Sequence, residues 1–120
     1  MKAKAYLGEI RSEYKTLLEL RERMRNARDE GRRSELRSSL KQASRYYAGV
    51  LKEIWETIEQ LEPGIDQEIL MRRYVFLEPW EQVAVETGYC ISTVYKRHAE
   101  AVSRVQKILN ERNRGMRLCG

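Results

Sequence analysis

Four polar side chains able to donate or accept hydrogen bonds fall within five consecutive positions near the C-terminal end of the chain. They are Ser92, Thr93, Tyr95 and Lys96. The spacing of the surrounding apolar residues places them on the first turns of a long helix, which is where a DNA-recognition helix reaches base edges in the major groove. We expect Lys96 to contact a guanine edge, and Ser92 and Thr93 to contact bases or the nearest phosphate.

Each of these residues also has a purely structural interpretation. Ser92 and Thr93 can serve as helix caps, because hydroxyl side chains accept hydrogen bonds from the free N–H groups of a first turn. Tyr95 can touch a thymine methyl group, bond a phosphate, or pack against the preceding helix. The sequence leaves these alternatives open.

Basic residues on either side are candidates for phosphate contacts, which position a protein on DNA without specifying sequence. The candidates are Arg97, His98, Arg104, Lys107 and Arg73. For Arg73 and its neighbour Arg72, pairing with Glu68 or Glu81 is the competing interpretation. His98 has neither a nucleophile nor a second metal ligand near it in the sequence, so we expect a surface or phosphate-contacting role for it.

The composition indicates no catalytic centre. There is one histidine, and the two cysteines, Cys90 and Cys119, lack the spacing of a metal site. Paired carboxylates, a nucleophile with its base and a phosphate-binding loop are all missing from the pattern. We therefore expect no enzymatic activity, no metal, no cofactor and no small-molecule substrate. Without a signal peptide or an apolar run of roughly 20 residues, we expect a reduced cytoplasmic protein that has no membrane partner.

The net charge of +5 is unevenly distributed. Lys and Arg outnumber Asp and Glu by nine to four over residues 21–45 and by seven to two over residues 92–120, whereas residues 46–91 carry three against nine. A nucleic-acid-binding face requires such asymmetry. The basic run over residues 21–45 can grip DNA or an acidic protein surface, although a solvated helix face would produce the same pattern.

A helix-turn-helix is predicted over residues 80–102. Gly88 lies where the first helix must stop, at a backbone position that favours positive φ. Ala84 lies where the two helices cross and only a small side chain fits, and Val94 is spaced to point back at it. The second helix is expected over residues 92–113, which is longer than DNA reading requires.

Two longer helices precede this motif, because apolar residues alternate three and four apart over residues 3–27 and again over residues 34–61. Gly31 is expected to cap the end of the first helix, and Ser34 to cap the start of the second. The short connection predicts an antiparallel hairpin. Its helices pack on each other, on a second copy of the chain, or on both, and we expect a homodimer formed through them.

Pro63-Gly64 is the strongest break in the chain. Asp66 is expected to cap a helix over residues 67–76. The predicted fold is all-α: an antiparallel, coiled-coil-like helical hairpin followed by a three-helix helix-turn-helix domain with a long recognition helix. The corresponding segments are the hairpin over residues 1–62, the helix-turn-helix domain over residues 63–114 and a flexible tail over residues 115–120.

A set of short motifs within residues 69–102 matches a known pattern: Arg73-Tyr74, Trp80-Glu81, Val83-Ala84, Gly88-Tyr89, Val94-Tyr95-Lys96 and His98. On these residues, the stretch resembles region 4 of bacterial sigma factors. With its N-terminal helices, the whole chain resembles the short phage and prophage transcriptional regulators of the RinA/ArpU type. The resemblance implies a sequence-specific DNA-binding regulator of late phage genes, with double-stranded DNA and bacterial RNA polymerase as its partners.

Two residues depart from the family pattern. Cys90 replaces the usual Ser or Thr cap, which leaves Ser92 to take over the capping and to shift the start of the helix. Arg97 stands where an aliphatic residue packs, so we expect it to point outward and add a phosphate contact. The other sigma regions are missing from this sequence, so it does not match a complete sigma factor.

Two other functions fit the same pattern. One is a protein-interaction module that binds RNA polymerase and touches DNA only incidentally. The other is a DNA-packaging subunit of the small-terminase type, which also combines such a motif with coiled helices and would form a ring of many copies.

Overall fold

Every regular element in the described part of the chain is a helix. The computed structural model describes the backbone of residues 2–119 and the side chains of residues 2–115. The predicted all-α fold, a long hairpin followed by a helix-turn-helix with a long last helix, is confirmed. The five helices are α1 (Ala3–Asn26), α2 (Glu30–Glu59), α3 (Ile65–Leu70, continued by a π-helical turn over Met71–Val75), α4 (Trp80–Thr87) and α5 (Ile91–Cys119).

Two features of the chain as a whole accompany this fold. None of the helices in the described residues is both long enough and apolar enough to span a bilayer. The tail predicted over residues 115–120 falls largely on side chains outside the described part, although the α5 backbone continues to Cys119.

The hairpin turns at Asp29, which caps the start of α2. Its carboxylate accepts a hydrogen bond from the backbone N–H of Arg32 at 2.9 Å, and so satisfies one of the free donors of the first turn. The prediction that Gly31 ends α1 and Ser34 starts α2 is therefore wrong, since both residues lie inside α2. The acidic side chain three residues before Arg32 decides where the helix starts.

The main core takes apolar residues from both sides of Pro63-Gly64. The middle of α5, from Ala101 to Leu109, lies against the α1–α2 hairpin, so the hairpin buries its stripe on its own helix-turn-helix. Each fully buried Leu or Ile in such a core contributes roughly 1.5–3 kcal/mol. Its buried members are Ala3, Tyr6, Leu7 and Ile10 of α1, Ile54 and Ile58 of α2, Leu61, Leu70 and Val75 around α3, and Ala101, Val105 and Leu109 of α5.

Side chains of α3 hold the junction between the hairpin and the rest of the chain. The Gln67 amide donates to the carbonyls of Ile58 at 3.3 Å and Leu61 at 3.2 Å, which closes the C-terminal end of α2. The prediction that Asp66 caps α3 is wrong: it lies inside the first turn, 5% exposed, and its carboxylate pairs with Arg104 of α5. A buried carboxylate requires such a partner.

A π-helical turn extends α3. Leu70 and Val75 are both buried although they are five residues apart. In a regular α-helix the inward direction returns after three or four residues, which would point Arg73 or Tyr74 at the core. With the additional residue in the turn, Arg73 reaches Trp80 at the start of α4, and Tyr74 packs at the edge of the core and reaches His98 of α5.

The chain leaves α3 through Leu77, which has a φ of 57°. The N–H of Glu78 bonds the carbonyl of Arg72 at 2.9 Å, and the Glu78 carboxylate lies 3.2 Å from the Arg72 guanidinium. A left-handed conformation costs a side-chain-bearing residue about 1–2 kcal/mol. These two contacts hold the turn in place, and Pro79 then leads directly into α4.

The core shared by the hairpin and the helix-turn-helix predicts that a cavity in α1 also destabilises the turn between α4 and α5. Leu7→Ala removes a side chain that is 0% exposed and should lower the free energy of unfolding by about 2–5 kcal/mol. Leu18→Ala, on the same helix but 45% exposed, should cost less than about 1 kcal/mol. Denaturant titration in a Trp55→Phe background measures the free energy of unfolding through the fluorescence of Trp80. If the Trp80 transition were unchanged in Leu7→Ala, the hairpin and the helix-turn-helix would not share a core.

Candidate nucleic-acid interface

The turn of the helix-turn-helix has the predicted geometry. Gly88 ends α4 with a φ of 77°, and its N–H bonds the carbonyl of Ala84 at 3.0 Å. Val83 and Val94 are fully buried together with Ile69 in a small second core, against which Ala84 also packs. The predictions of positive φ at Gly88 and of the contact of Val94 with α4 are confirmed. This core fixes the angle at which α5 leaves the turn.

Helix α5 begins at Ile91, with Cys90 in the capping position. The Cys90 carbonyl accepts the N–H of Val94 at 3.0 Å, which is the first hydrogen bond of the helix. Ser92 therefore lies inside the first turn and does not take over the capping, contrary to the expectation. The Cys90 sulfur lies 3.3 Å from the Ser92 hydroxyl and 3.1 Å from that of Thr93, and these hydrogen bonds lower the pKa of the thiol to about 7.

Three of the four predicted base-contacting side chains lie on one exposed face of α5. Ser92, Tyr95 and Lys96 occupy positions i, i+3 and i+4, which share a helix face, and all three are exposed. Thr93 is half-buried. The Tyr95 ring packs edge-on against Trp80 of α4 at 5.1 Å, as its structural interpretation expected, while 47% of the residue remains exposed. The face can therefore meet another molecule without rearrangement.

The predicted phosphate contacts divide into free and paired cations. Arg97 points outward as expected, with only a 3.9 Å approach to Glu100. Lys107 is exposed as well. Arg104 instead forms the ion pair with buried Asp66, so much of its charge is neutralised within the protein. Of the phosphate contacts predicted on α5, Arg97 and Lys107 remain available.

His98 is half-buried in an aromatic cluster. Its Nε2 lies 2.6 Å from the Tyr74 hydroxyl, the two rings stack at 5.7 Å, and the Trp80 ring meets it edge-on at 4.8 Å. Burial, together with the positive charges of Lys4 and Arg73, lowers the pKa of the imidazole to about 4. The ring is therefore neutral near pH 7, which corrects the expectation that His98 is a surface residue and leaves it no charge to offer a phosphate.

The sequence carries a signal for this position. Val94, His98, Ala101 and Val105 are spaced by four, three and four residues, and the other three are fully buried. This spacing places His98, rather than Arg97, on the inward stripe of α5. The stripe is easily missed, because a histidine beside two basic residues suggests a surface position.

Arg73 lies over the Trp80 ring, with its guanidinium carbon 4.5 Å from the ring centroid. Its one hydrogen bond goes to the backbone carbonyl of Glu78 at 3.1 Å, so it pairs with neither of the two carboxylates considered for it. The neighbouring Arg72 forms ion pairs instead, at 3.0 Å to Glu68 and 3.2 Å to Glu78. Arg73 thus contributes a positive charge that is held in no ion pair, although Glu81 acts on it electrostatically.

No protein-family model, no curated protein and no solved structure matches this chain. Among the residues whose placement the structure describes, no three His, Cys, Asp or Glu side chains come together as a metal site would require. The arrangement that remains is an exposed polar face at the start of α5, with basic side chains beside it. Such a surface suits contact with an anionic, hydrogen-bonding partner.

The environment of His98 predicts an acid-sensitive fold. Between pH 6.5 and about 4 the unfolded chain binds a proton at His98 that the folded chain does not. The free energy of unfolding should therefore decrease as the pH falls through this window, and this group should contribute no pH dependence above it. His98 is the only histidine, so ring-proton NMR of tag-free protein follows its titration directly. A titration midpoint near 6.5 would contradict the buried, neutral ring. His98→Gln should make the free energy of unfolding less dependent on pH between 6.5 and about 4.

Proposed function

We propose that this protein is a sequence-specific double-stranded-DNA-binding transcriptional regulator without enzymatic activity. The observation that carries the proposal is the exposed face of Ser92, Tyr95 and Lys96 at the start of a helix held by a helix-turn-helix core. A recognition helix presents its N-terminal residues to base edges in the same way.

In this proposal the first turns of α5 enter the major groove. Lys96 donates to the O6 and N7 acceptors of a guanine, and Ser92 and Tyr95 contact neighbouring bases or the adjacent phosphate. Arg97 and Lys107 contact phosphates and set the register of the protein along the duplex. Cys90 lies at the same end of the helix, beside the bound bases.

The transcriptional part of the proposal rests on the resemblance of residues 69–102 to sigma region 4. The protein would act with RNA polymerase at phage or prophage late promoters, in the cytoplasm of the bacterial host. Acidic residues are in excess over residues 46–91, so this part of the protein would offer RNA polymerase a negatively charged surface, separate from the basic helix that faces DNA. A second copy of the chain would pack on the hairpin, where Tyr46 is exposed.

Substitution of the central base-reading residue tests the DNA proposal. A duplex is first selected from a random pool at near-physiological salt. Lys96→Ala should then weaken binding to that duplex by about 1–3 kcal/mol, or roughly 5- to 150-fold, because the alanine side chain cannot donate to a base edge. Binding to an unrelated duplex should change far less. Lys52→Ala, an exposed lysine on α2, is the matched control and should leave both affinities unchanged.

Two outcomes would reject this proposal. If the recovered pool stays random and binding vanishes as salt rises, the protein is no sequence-specific reader. If Lys96→Ala and Lys52→Ala behave alike on the selected duplex, α5 does not read it. Light scattering of the same samples separates a dimer from a packaging-type ring by mass.

The thiol of Cys90 offers an independent footprint of the bound duplex. With a pKa of about 7, it is about half thiolate at pH 7 and should react readily with iodoacetamide. A bound duplex should slow this alkylation by covering the start of α5 and by disfavouring the thiolate. Mass spectrometry of a Cys119→Ser variant measures the rate at a single thiol, with an equal concentration of unrelated duplex as the control. Equal rates with and without saturating selected duplex would show that DNA does not cover this end of the helix.

A further inference from the structure

A cleft of about 430 Å³ opens between α1 and the beginnings of α4 and α5. Tyr74, Trp80 and His98 form one wall, and the side chains of Lys4 and Arg11 approach from α1. None of the eight residues that line it is acidic. The base-reading proposal makes no use of this cleft, although Tyr95 belongs to both surfaces.

Three cations meet in the cleft, and none of them forms an ion pair with a described carboxylate, although the charge of Glu81 acts on Arg73 more weakly than that of Arg11 does. Lys4 and Arg11 make no ion pair or hydrogen bond with the described side chains, and Arg73 bonds only a backbone carbonyl. Burial, and next the nearby positive charge of Arg11, lower the pKa of Arg73. Like charges brought together in this way are unfavourable unless an anion lies between them.

A glycine keeps the cleft open. Lys4, Gly8 and Arg11 lie at positions i, i+4 and i+7 along one face of α1, so Gly8 separates the two cations. Glycine in a helix interior costs roughly 0.5–1 kcal/mol relative to alanine. A Cβ built at Gly8 would meet no atom within 4 Å, so no packing contact requires the small residue. The missing side chain leaves space that an anion can occupy.

We propose that this cleft is a phosphate-binding site formed jointly by α1 and the helix-turn-helix. Arg11 and Arg73 supply guanidinium donors suited to a phosphate, and Lys4 supplies a further charge. The phosphate belongs either to the DNA backbone beside the groove that α5 reads or to a free phosphate ester. Only the first source rests on the proposed function. Because Tyr95 lines both surfaces, a duplex on α5 presents its backbone at the mouth of the cleft.

The test compares a substitution that fills the cleft with the same substitution at a glycine elsewhere in the hairpin. Gly8→Leu places a side chain in the cleft, whereas Gly49→Leu makes the same change at an exposed site inside α2 that also has open space. Both changes favour the helix equally. Arg11→Gln is a second variant, which removes a cation from an exposed position without entering the core.

Inorganic phosphate is the first probe, and the NMR titration of His98 is the readout. Bound phosphate should raise the pKa of His98 above its starting value of about 4, because a nearby anion favours the protonated ring. The parent protein and Gly49→Leu should show this shift. Gly8→Leu should not, and Arg11→Gln should need several-fold more phosphate.

The selected duplex is the second probe. Gly8→Leu should weaken the binding of this duplex, and of unrelated duplexes, several-fold. It should also lower the magnitude of the slope of log affinity against log salt by about 0.9 for each phosphate that the cleft no longer neutralises. Gly49→Leu should leave both quantities unchanged. A decrease in duplex affinity alone assigns the cleft to the DNA backbone, and a decrease in phosphate binding alone assigns it to a free ester.

The two proposals fail in different ways. If neither phosphate nor duplex distinguishes Gly8→Leu from Gly49→Leu, the cleft is not a phosphate site, while selective binding through Lys96 is unaffected by that result. If the parent protein binds no duplex but phosphate shifts His98 in a Gly8-dependent manner, the DNA proposal fails and the phosphate site is supported.

Discussion

The burial of the middle of α5 against the hairpin holds the two parts of the molecule together. Val105 and Leu109 pack among Leu7 and Ile58, so α5 is anchored at a distance from its exposed N-terminal face. Helix α4 has only eight residues, and isolated helices this short are marginal in water. The helix-turn-helix therefore relies on tertiary packing, and α1 takes part in holding it.

Polar contacts inside this packing determine how α5 is rotated. The buried Thr57 hydroxyl lies 2.8 Å from the Tyr6 hydroxyl and accepts a hydrogen bond from Arg112 at 2.9 Å, while Arg104 pairs with Asp66. Apolar surfaces alone tolerate small rotations, whereas a buried polar group is separated from its partner if the helix turns. These contacts along the C-terminal part of α5 thus keep its polar face turned outward at the N-terminal end. They also explain why Arg104, a basic residue that was predicted to contact phosphate, pairs with a buried carboxylate instead.

The placement of charges matters more than their sum. Several acidic side chains around α3 and α4 form ion pairs within that region, since Arg72 approaches three glutamates within 4 Å. The cations of the cleft have no such partners, and Lys96 and Lys107 on α5 are exposed. A protein with a net charge of only +5 can therefore present an uncompensated basic surface on one side. That surface joins the hairpin to the helix-turn-helix and is the reason that both proposals concern the same side of the molecule.

Features that depend on neighbours within a turn or two could be predicted from the residues alone. Apolar spacing identified the helices, and the steric freedom of Gly88 identified the turn between α4 and α5. The positive φ at Leu77 could not be predicted, because leucine is not a residue type that favours this conformation. The start of α2 at Asp29 could not be predicted either, because Ser34 was an equally plausible capping residue. The neutral state of His98 and the cleft arise only when distant segments pack together. Lys4 meets His98 across most of the chain length, and both pKa and cavity shape depend on which surfaces finally come into contact.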